Sequence, residues 1–472
     1  MKKTTVAVLG AIFIALLVAP KFVGNNISQD LNSTIALIDK NPVYQAKIIS
    51  QSSSWFSSQA VLEIGIDLAL MGMQNIDPDA PTALTFQLVF SAQHGPIIVS
   101  GDSPGLHWAS WQATSSGDSL REALTFAQDK AFYAIQGKVN LLGTTHYQDT
   151  LQGFTYAGEG LLGHAEFSGL QGEGEISAQH FNYALKVAEI SLENAAISTK
   201  MQGLYVTMDA QTDLYSLLQG QLYNGSSSIG MAAFEFVDVA DSAKTTLSQL
   251  ELSTLSTVDN KNNTGNLQLL VTSAAYQSTN VTGSDLAMTT EFNNISGDFI
   301  KAYQVFYTNL AEQEPEQLAE LMQGFMQDKL LTLLQSEPEF NFPDIHGVLN
   351  DGHFKGSLHS KVVGVQTLPD NLADISFWLS HVKADADIVA AKNVAHMIAE
   401  QIIMSQLAAD PSLVNMSQQE KQNIAIQQAP AMLQGMTQQG LLQATDDNYR
   451  MTFSMENGTA TLNGQPMPLP IQ

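Results

Sequence analysis

The sequence predicts an α+β protein built mostly from antiparallel strands, with helices packed on a long, curved, meandering sheet. Three observations support this prediction. Apolar and polar residues alternate with a period of two from about Tyr44 to Ser296, turn residues recur about every ten positions, and helical spacing begins at Phe299. The chain therefore divides into a cytoplasmic stub with a membrane segment, residues 1–23, a β-rich region, residues 24–298, and a mixed helix and strand region, residues 299–472.

Two segments show the strand alternation most clearly. Their apolar positions are Leu62, Ile64, Ile66, Leu68 and Leu70 in the first, and Leu84, Phe86, Leu88, Phe90 and Ala92 in the second. Weaker alternation, interrupted by glycines, follows in Leu141–Phe167, Tyr183–Leu192, Leu204–Ala210 and Leu267–Val271. Such alternation indicates strands with one buried face and one solvated face.

Helical spacing and turn residues organise the rest of the chain. Helices are predicted at Phe299–Leu310, from Pro315 to Leu334, at Val389–Leu407, and after the capping box Ser417-x-x-Glu420, where Pro430 should kink or end the helix. A hairpin turn is predicted at Asn350-Asp351-Gly352. Further strands are predicted at Val382–Ile388, Tyr449–Met455 and Thr459–Leu462.

Composition excludes several classes of function. The chain has 20 Lys and Arg against 46 Asp and Glu, a formal net charge of -26. Such a surface repels phosphate backbones, so nucleic acid is not expected as a partner. The chain has no cysteine, which excludes disulfides, thiolate metal sites and a cysteine nucleophile.

The N-terminus predicts the location of the protein. Lys2 and Lys3 precede the apolar run Val6–Val18, and Thr4–Val23 is long enough to cross a bilayer if Lys21 reaches the interface. The basic residues place the N-terminus in the cytoplasm, so the body is expected in a bacterial periplasm, held by a single-pass anchor in the inner membrane.

A cleaved signal peptide is the alternative to this anchor. Cleavage after Ala19 would place Leu17 where a small residue is needed and Pro20 directly after the cut. Both residues are poor at those positions, so the sequence favours an uncleaved anchor.

The stretch Ser91–Gly105, SAQHGPIIVSGDSPG, contains a match to the G-x-S-x-G motif of serine hydrolases. In that motif the N–H after the serine helps to form the oxyanion hole, but here the next residue is Pro104, which has no N–H. We therefore expect a turn at GDSPG. His94 has the parity of Phe90 and Ala92, so it should point inward as part of a strand.

Other motifs also favour structural roles. Gly158, Gly160 and Gly163 spell G-x-G-x-x-G, but alternating residues follow where a dinucleotide site needs a helix. His353 and His359 lie about 20 Å apart on one strand face, too far to share a metal. With Lys355 and Lys361 they form a basic stripe, expected to be a solvated face or else a patch that docks a partner.

The tightest carboxylate pairs are Asp77 and Asp79, Asp385 and Asp387, and Asp446 and Asp447. None extends to a calcium-binding loop, so solvation or weak cation binding is expected. The sequence assigns no catalytic, cofactor-binding or metal-binding residue, predicts no cofactor, and names no residue for a binding site.

The order of several short motifs resembles the YdgA-like family of bacterial envelope proteins. These are the N-terminal anchor, WFSS at Trp55–Ser58, HGP at His94–Pro96, FNFPDIHGVLNDGHFKGSL after a helical insert, and NGTATLNGQPMPL at Asn457–Leu469. Ser54 stands where the family usually has glycine. The resemblance implies an inner-membrane anchor with a periplasmic body, and it carries over no catalytic residue.

Two functions are expected on these grounds. The first is a non-enzymatic envelope scaffold or interaction protein, whose partner is an envelope protein or a second copy of the chain. The second is a module that binds or transfers a lipid or other amphiphile in a hydrophobic groove. In the second case the stripe from Leu318 to Leu334 would contact the ligand, although such stripes are usually core.

Overall fold

Alternating residues form strands throughout the chain. The computed structural model describes residues 24–29, 31–36, 38–39, 43–67, 83–98, 105–158, 163–218, 221–240, 242–310, 317–414 and 416–467. The described residues form two compact units, one within Met1–Ser242 and Tyr307–Glu314, the other within Ala243–Phe306 and Pro315–Gln472.

The first unit is a meandering antiparallel sheet. Its strands are β1 Tyr44–Ser53, β2 Ser57–Asp67, β3 Ala83–His94, β4 Ala109–Ser115, β5 Leu124–Thr125, β6 Tyr133–Val139, β7 Thr145–Ala157, β8 His164–Ile176, β9 Phe181–Glu193, β10 Ile197–Ala210 and β11 Gly225–Asp238. They pair in the order β1-β2-β3-β4-β6-β7-β8-β9-β10-β11, and β5 pairs with β7. The helical segments are α1, residues 24–29 and 31–36, a 3₁₀ turn Asp118–Leu120, and α2 Leu214–Leu218.

The core of the first unit lies between α1 and the inward face of β1–β4. Ile35 of α1 packs with Leu62, Phe90 and Ala113 of the sheet. The alternation predicted for the segments around Leu62 and Phe90 is confirmed, because Leu62, Phe90 and Ala92 are buried whereas Val89 is 55% exposed.

The second unit is also built on an antiparallel ladder. Its strands are β12 Lys244–Asp259, β13 Thr264–Gln277, β14 Thr282–Ser296, β15 Glu339–Leu349, β16 Gly352–Val362, β17 Val382–Ala391, β18 Gln443–Ala444, β19 Asn448–Glu456, β20 Thr459–Leu462 and β21 Gln465–Met467. They pair in the order β12-β13-β14-β15-β16-β17-β19-β20-β21, and β18 pairs with β19. The predicted turn at Asn350 and Asp351 is confirmed, with φ of 44° and 64°.

Among the described residues, the α-helices that belong to or begin in the second unit are α3 Gly297–Leu310, α4 Leu318–Leu334, α5 Ile375–His381, α6 Lys392–Ala409 and α7 Gln418–Gln438. The helices α6 and α7 meet through small residues, with Ala399, Ala425 and Ala429 at 2% exposure or less. A separate cluster joins the end of α4 to Val365 and the aromatic residues of α5.

Several predicted helix boundaries are confirmed and two need correction. The predicted capping box at Ser417 and Glu420 is present. The helix predicted from Val389 begins at Lys392, because β17 continues to Ala391 and pairs there with β19. The prediction that Pro430 could end its helix is wrong, since α7 continues to Gln438.

Within the described ranges, no helix is both long and apolar enough to cross a membrane. Residues 4–23, the predicted anchor, lie outside those ranges.

Candidate functional site

The first unit carries an open groove of about 790 Å³ on one face of its sheet. Strands β2, β3, β4, β6, β7, β8 and β9 all line it, and glutamine and serine are the commonest residues of the lining. Because side chains alternate between the two faces of a strand, each strand presents one or two polar side chains here, and the residues between them face the opposite side of the sheet.

The strand register aligns the polar side chains of the groove in two rows that cross the strands. The first row, which is mainly amides, runs through Gln59, Ser91, Gln112, Gln136, Gln148 and Glu173. The second row runs through Ser57, Gln93, Ser110, Lys138, His146, Glu175 and Asn182. Neighbours within a row lie about 4.8 Å apart, the spacing between paired strands. The groove therefore offers hydrogen-bond donors and acceptors at a regular interval.

The groove carries little net charge, although the chain as a whole is strongly acidic. Its ionisable residues within the two rows are Lys138, His146, Glu173 and Glu175, and His146 Nδ1 lies 3.3 Å from Glu175 Oε2. Across the described ranges, no three His, Asp or Glu side chains come close enough together to hold a metal ion. This chemistry suits an uncharged ligand that donates and accepts hydrogen bonds.

A buried carboxylate lies on the opposite face of the same strands. Asp149 is 6% exposed, and the hydroxyl of Tyr183 donates to its two oxygens at 3.0 and 3.2 Å. The ring of Tyr147 stacks on that of Tyr183, with centroids 6.0 Å apart. A Cβ on Gly172, the residue paired with Asp149, would collide with the carboxylate and the Tyr183 hydroxyl. Glycine at this position therefore makes room for the polar cluster.

Burial sets the ionisation of this cluster. Desolvation raises the pKa of Asp149, and the hydrogen bond from Tyr183 opposes that rise. Burial is the main cause that raises the pKa of Tyr133 to about 12, and it also raises the pKa values of Tyr147 and Tyr183. The negative charge of Asp149 is the second cause for all three tyrosines. The three hydroxyls therefore stay protonated at neutral pH, and the cluster fixes the strands from which the groove is built.

His94 is buried, as its parity predicted. The ring is 2% exposed, and Nε2 lies 3.2 Å from the hydroxyl of Ser58, which is itself only 3% exposed. Gly24, the first described residue, packs so closely on the ring that a Cβ there would lie 2.5 Å from Cε1. A serine nucleophile must reach its substrate, whereas both side chains of this pair are almost completely buried.

The two motif matches lie only partly within the described ranges. Residues 101–104 of GDSPG lie outside the described ranges, and Gly105 forms a β-bridge with Ile98. In the G-x-G-x-x-G match, Gly160 is likewise outside, but the N–H of Gly158 donates to the carbonyl of Gly163 at 2.9 Å. Strand β8 follows directly, which confirms the expectation that no helix opens here.

The predicted carboxylate pairs lie in separate places. Asp77 and Asp79 are outside the described ranges. Asp387 is held by two hydrogen bonds from Arg450, at 2.9 and 2.7 Å, and these lower its pKa. The backbone carbonyl of Asp446 accepts a hydrogen bond from the Lys392 ammonium. The Asp387 carboxylate therefore has a structural role, whereas Asp446 makes its contact through the backbone.

One residue of the basic stripe on β16, Lys361, has acidic neighbours. His353, Lys355 and His359 are exposed, as expected for a solvated face. The Lys361 ammonium lies 3.3 Å from Glu337 and 3.4 Å from Glu339. The stripe is therefore not a continuous positive surface.

The second unit has a more apolar crevice of about 820 Å³. It lies between α6 and the β13–β14 turn, and its apolar lining is Tyr276, Val281, Met397, Ile398 and Ile402. Ile398 and Ile402 are 48% and 41% exposed.

The helix predicted to hold a lipid chain is only partly buried. On α4, Leu330 and Leu334 are buried, whereas Leu318, Leu321 and Met322 are exposed. Among the described residues, the crevice is lined by α6 and the β13–β14 strand ends and turn, and not by α4.

None of the residues that line the groove was predicted from the sequence as part of a site. The available signal was the repeated glutamine at outward strand positions, such as Gln112, Gln136 and Gln148. Such residues are ordinary on a solvated face, and only the pairing of β4 with β6 and of β6 with β7 shows that they are neighbours.

Comparison with known proteins gives one match. A family model described as "Bacterial protein of unknown function (DUF945)" matches residues 1–470. No curated protein and no solved structure matches the chain.

Proposed function

The chain belongs to the DUF945 family of bacterial proteins of unknown function, and on that premise we propose that it is a non-enzymatic interaction protein of the cell envelope. The polar groove of the first unit is its binding surface. Within the family we assign it to the YdgA-like proteins, on the ordered motifs from Trp55 to Leu469.

The single observation behind this proposal is the alignment of polar side chains, mostly amides and hydroxyls, in two rows that cross six and seven strands. A solvated sheet face in an acidic protein would be expected to carry unpaired carboxylates. Here the first row holds four glutamines and one carboxylate, Glu173, and Glu175 of the second row lies 3.3 Å from His146. Such a surface binds through many hydrogen bonds, so its partner presents an uncharged, polar chain.

The location is part of the same proposal. Residues 4–23 anchor the chain in the inner membrane, with the N-terminus in the cytoplasm and both units in the periplasm. What supports this is the apolar run after Lys2 and Lys3.

Site-specific photo-crosslinking in cells tests the groove. A photoreactive amino acid replaces Gln136 at the centre of the first row, and in a matched control it replaces Gln128, an exposed glutamine outside the groove. We expect a discrete adduct from position 136 and none from position 128, because only the first contacts the bound partner.

Equal labelling at the two positions, or no adduct from the groove, would refute the proposed binding surface. The mass of the adduct also identifies the chemical class of the partner.

A second candidate function, the binding of an amphiphile, is favoured by the crevice beside α6. Exposed Ile398 and Ile402 face a turn that contains Val281, so an acyl chain could lie between them. A photoreactive residue at Ile402 should then form a lipid adduct, whereas the same residue at Ile426 should not. Ile426 is the matched control because it is 47% exposed and lies outside the crevice. Lipid labelling at both positions, or at neither, would eliminate this candidate.

A further inference from the structure

One end of the first unit carries a group of exposed apolar side chains. This group, the apolar tip, consists of Trp55, Phe56, Ile97, Leu106, Leu141 and Leu142. Leu142 is 92% exposed and Leu106 69%. Exposed apolar surface costs about 25 cal/mol per Å² relative to burial, so a cluster of this kind calls for an explanation.

Backbone hydrogen bonds join the loops of the tip into one surface. The N–H of His94 donates to the carbonyl of Phe56 at 3.0 Å, and that of Gly95 donates to Trp108 at 2.9 Å. Trp108 in turn joins the β3–β4 loop to the β6–β7 turn. Its backbone N–H donates to the carbonyl of Val139, and its indole N–H donates to the carbonyl of Leu141 at 3.1 Å. The β1–β2, β3–β4 and β6–β7 connections are therefore neighbours.

The β6–β7 turn holds its two leucines outward. The side chain of Asn140 accepts hydrogen bonds from the N–H groups of Leu142 and Thr144, at 2.8 and 3.0 Å. Gly143 has a φ of 87°, a conformation that glycine adopts at no steric cost. Turn positions usually carry polar residues, whereas this hydrogen-bonded turn presents Leu141 and Leu142 to solvent.

The described loops of the tip carry no charged side chain, in a protein with a net charge of -26, and Asp102 of the β3–β4 connection lies outside the described ranges. The tip's described loop residues, 54–56, 95–98, 105–108 and 140–144, include no Asp, Glu, Lys or Arg. Burial, with a contribution from Lys138, lowers the pKa of His107, so this side chain is neutral as well. At the opposite end of the same strands, the β4–β6 connection carries Asp118, Arg121, Glu122, Asp129 and Lys130.

The chain enters the first unit at the same end. Gly24, which follows the proposed anchor, packs on the ring of His94 at the end of β3. An anchor that ends at residue 23 therefore brings the loops around His94 to the bilayer surface. Tryptophan and other apolar side chains are the residues that bind the interface between headgroups and acyl chains.

We propose that the apolar tip inserts into the outer leaflet of the inner membrane beside the anchor and fixes the orientation of the first unit on the bilayer. This inference rests on the proposed anchor. The tip binds a lipid surface. The contact is apolar, because the described loops of the tip have no cation to attract anionic headgroups.

The absence of cysteine permits a direct test. Full-length single-cysteine variants Leu142→Cys and Phe56→Cys are labelled with an environment-sensitive fluorophore and reconstituted in phosphatidylcholine vesicles that contain a nitroxide-labelled lipid. The control is Val239→Cys, because Val239 is 46% exposed and follows the far end of β11. Both tip residues are exposed, so the substitutions leave the fold intact.

We expect blue-shifted, quenched fluorescence at the two tip positions and neither effect at position 239. Raised salt should not reverse the quenching, because the contact is not electrostatic. If the chain floats with the vesicles but the tip labels are quenched no more than the control, or salt removes the quenching, the inference is wrong. If the chain does not float with the vesicles, the proposed anchor is wrong and the inference fails with it.

Discussion

Asp149 shows how a single residue can carry a measurable cost. It is buried on the face opposite the groove, and desolvation raises its pKa. A carboxyl group whose pKa is higher in the folded state binds its proton more tightly when folded. It therefore lowers the stability of the protein as the pH rises from the unfolded pKa through the folded pKa, and the full penalty persists above that window.

Asp149→Asn should remove this pH-dependent penalty while keeping an oxygen that accepts the Tyr183 hydrogen bond. We expect the free energy of unfolding of the variant, relative to the parent protein, to rise as the pH is increased from about 4 to about 8. Urea unfolding at a series of pH values measures the difference. If the free energy of unfolding of the variant relative to the parent instead falls over this range, the folded state stabilises the Asp149 carboxylate and the proposed desolvation penalty is wrong.

His94→Ala should affect stability and leave binding unchanged. The substitution removes a fully buried ring and its contact with Ser58, so we expect a loss of about 2–4 kcal/mol in the free energy of unfolding. At equal protein level, the adduct from a photoreactive residue at position 136 should be unaltered. A selective loss of that adduct without loss of stability would give His94 a functional role.

For single residues, the sequence could predict which side chains are buried but not which side chains are neighbours across the strands. The parity of His94 with Phe90 and Ala92 correctly placed its ring in the core. The neighbourhood of Gln112 and Gln136 could not be predicted in the same way, because β5 lies between β4 and β6 in sequence and pairs elsewhere.

Among the elements, the contact between α6 and α7 depends on small residues. Ala429 is 0% exposed in this contact, whereas Ala431, two residues later on the same helix, is exposed. Ala429→Leu should lower the free energy of unfolding by about 1–3 kcal/mol, because the added atoms have no space. Ala431→Leu should change it by no more than about 0.5 kcal/mol.

Chemical unfolding of the two variants under one set of conditions makes this comparison, and it controls for helix propensity because both introduce leucine. Equal effects would show that the two helices do not pack as closely as their buried alanines indicate.

At the start of α6 and at Pro430 in α7, the local sequence pattern was not sufficient to predict the structure. Val389, Ala390 and Ala391 fit a helical pattern, yet each is paired with β19, so sheet pairing determines their structure. Pro430 removes one N–H from α7, but the burial of Ala429 and Leu433 on either side favours continuation of the helix. In both cases tertiary contacts override local preference.

For the whole molecule, the meander was predictable because neighbours in sequence are mostly neighbours in the sheet. Turn residues such as Asn350 and Asn457 mark hairpins that the structure confirms. The groove was not predictable, because it forms only when seven strands align their outward side chains. The sequence carries no local signal for that alignment.

If the groove is the binding surface, filling it should remove the partner. In the protein with a photoreactive residue at position 136, Gln112→Arg and Gln148→Arg would place cations on both sides of that residue, since Gln112 and Gln148 are its partners in the neighbouring strands. We predict that the adduct is lost in this variant and retained with Gln128→Arg, which adds a charge outside the groove. If the adduct persists at equal protein level when the groove is filled, the groove is not the binding surface.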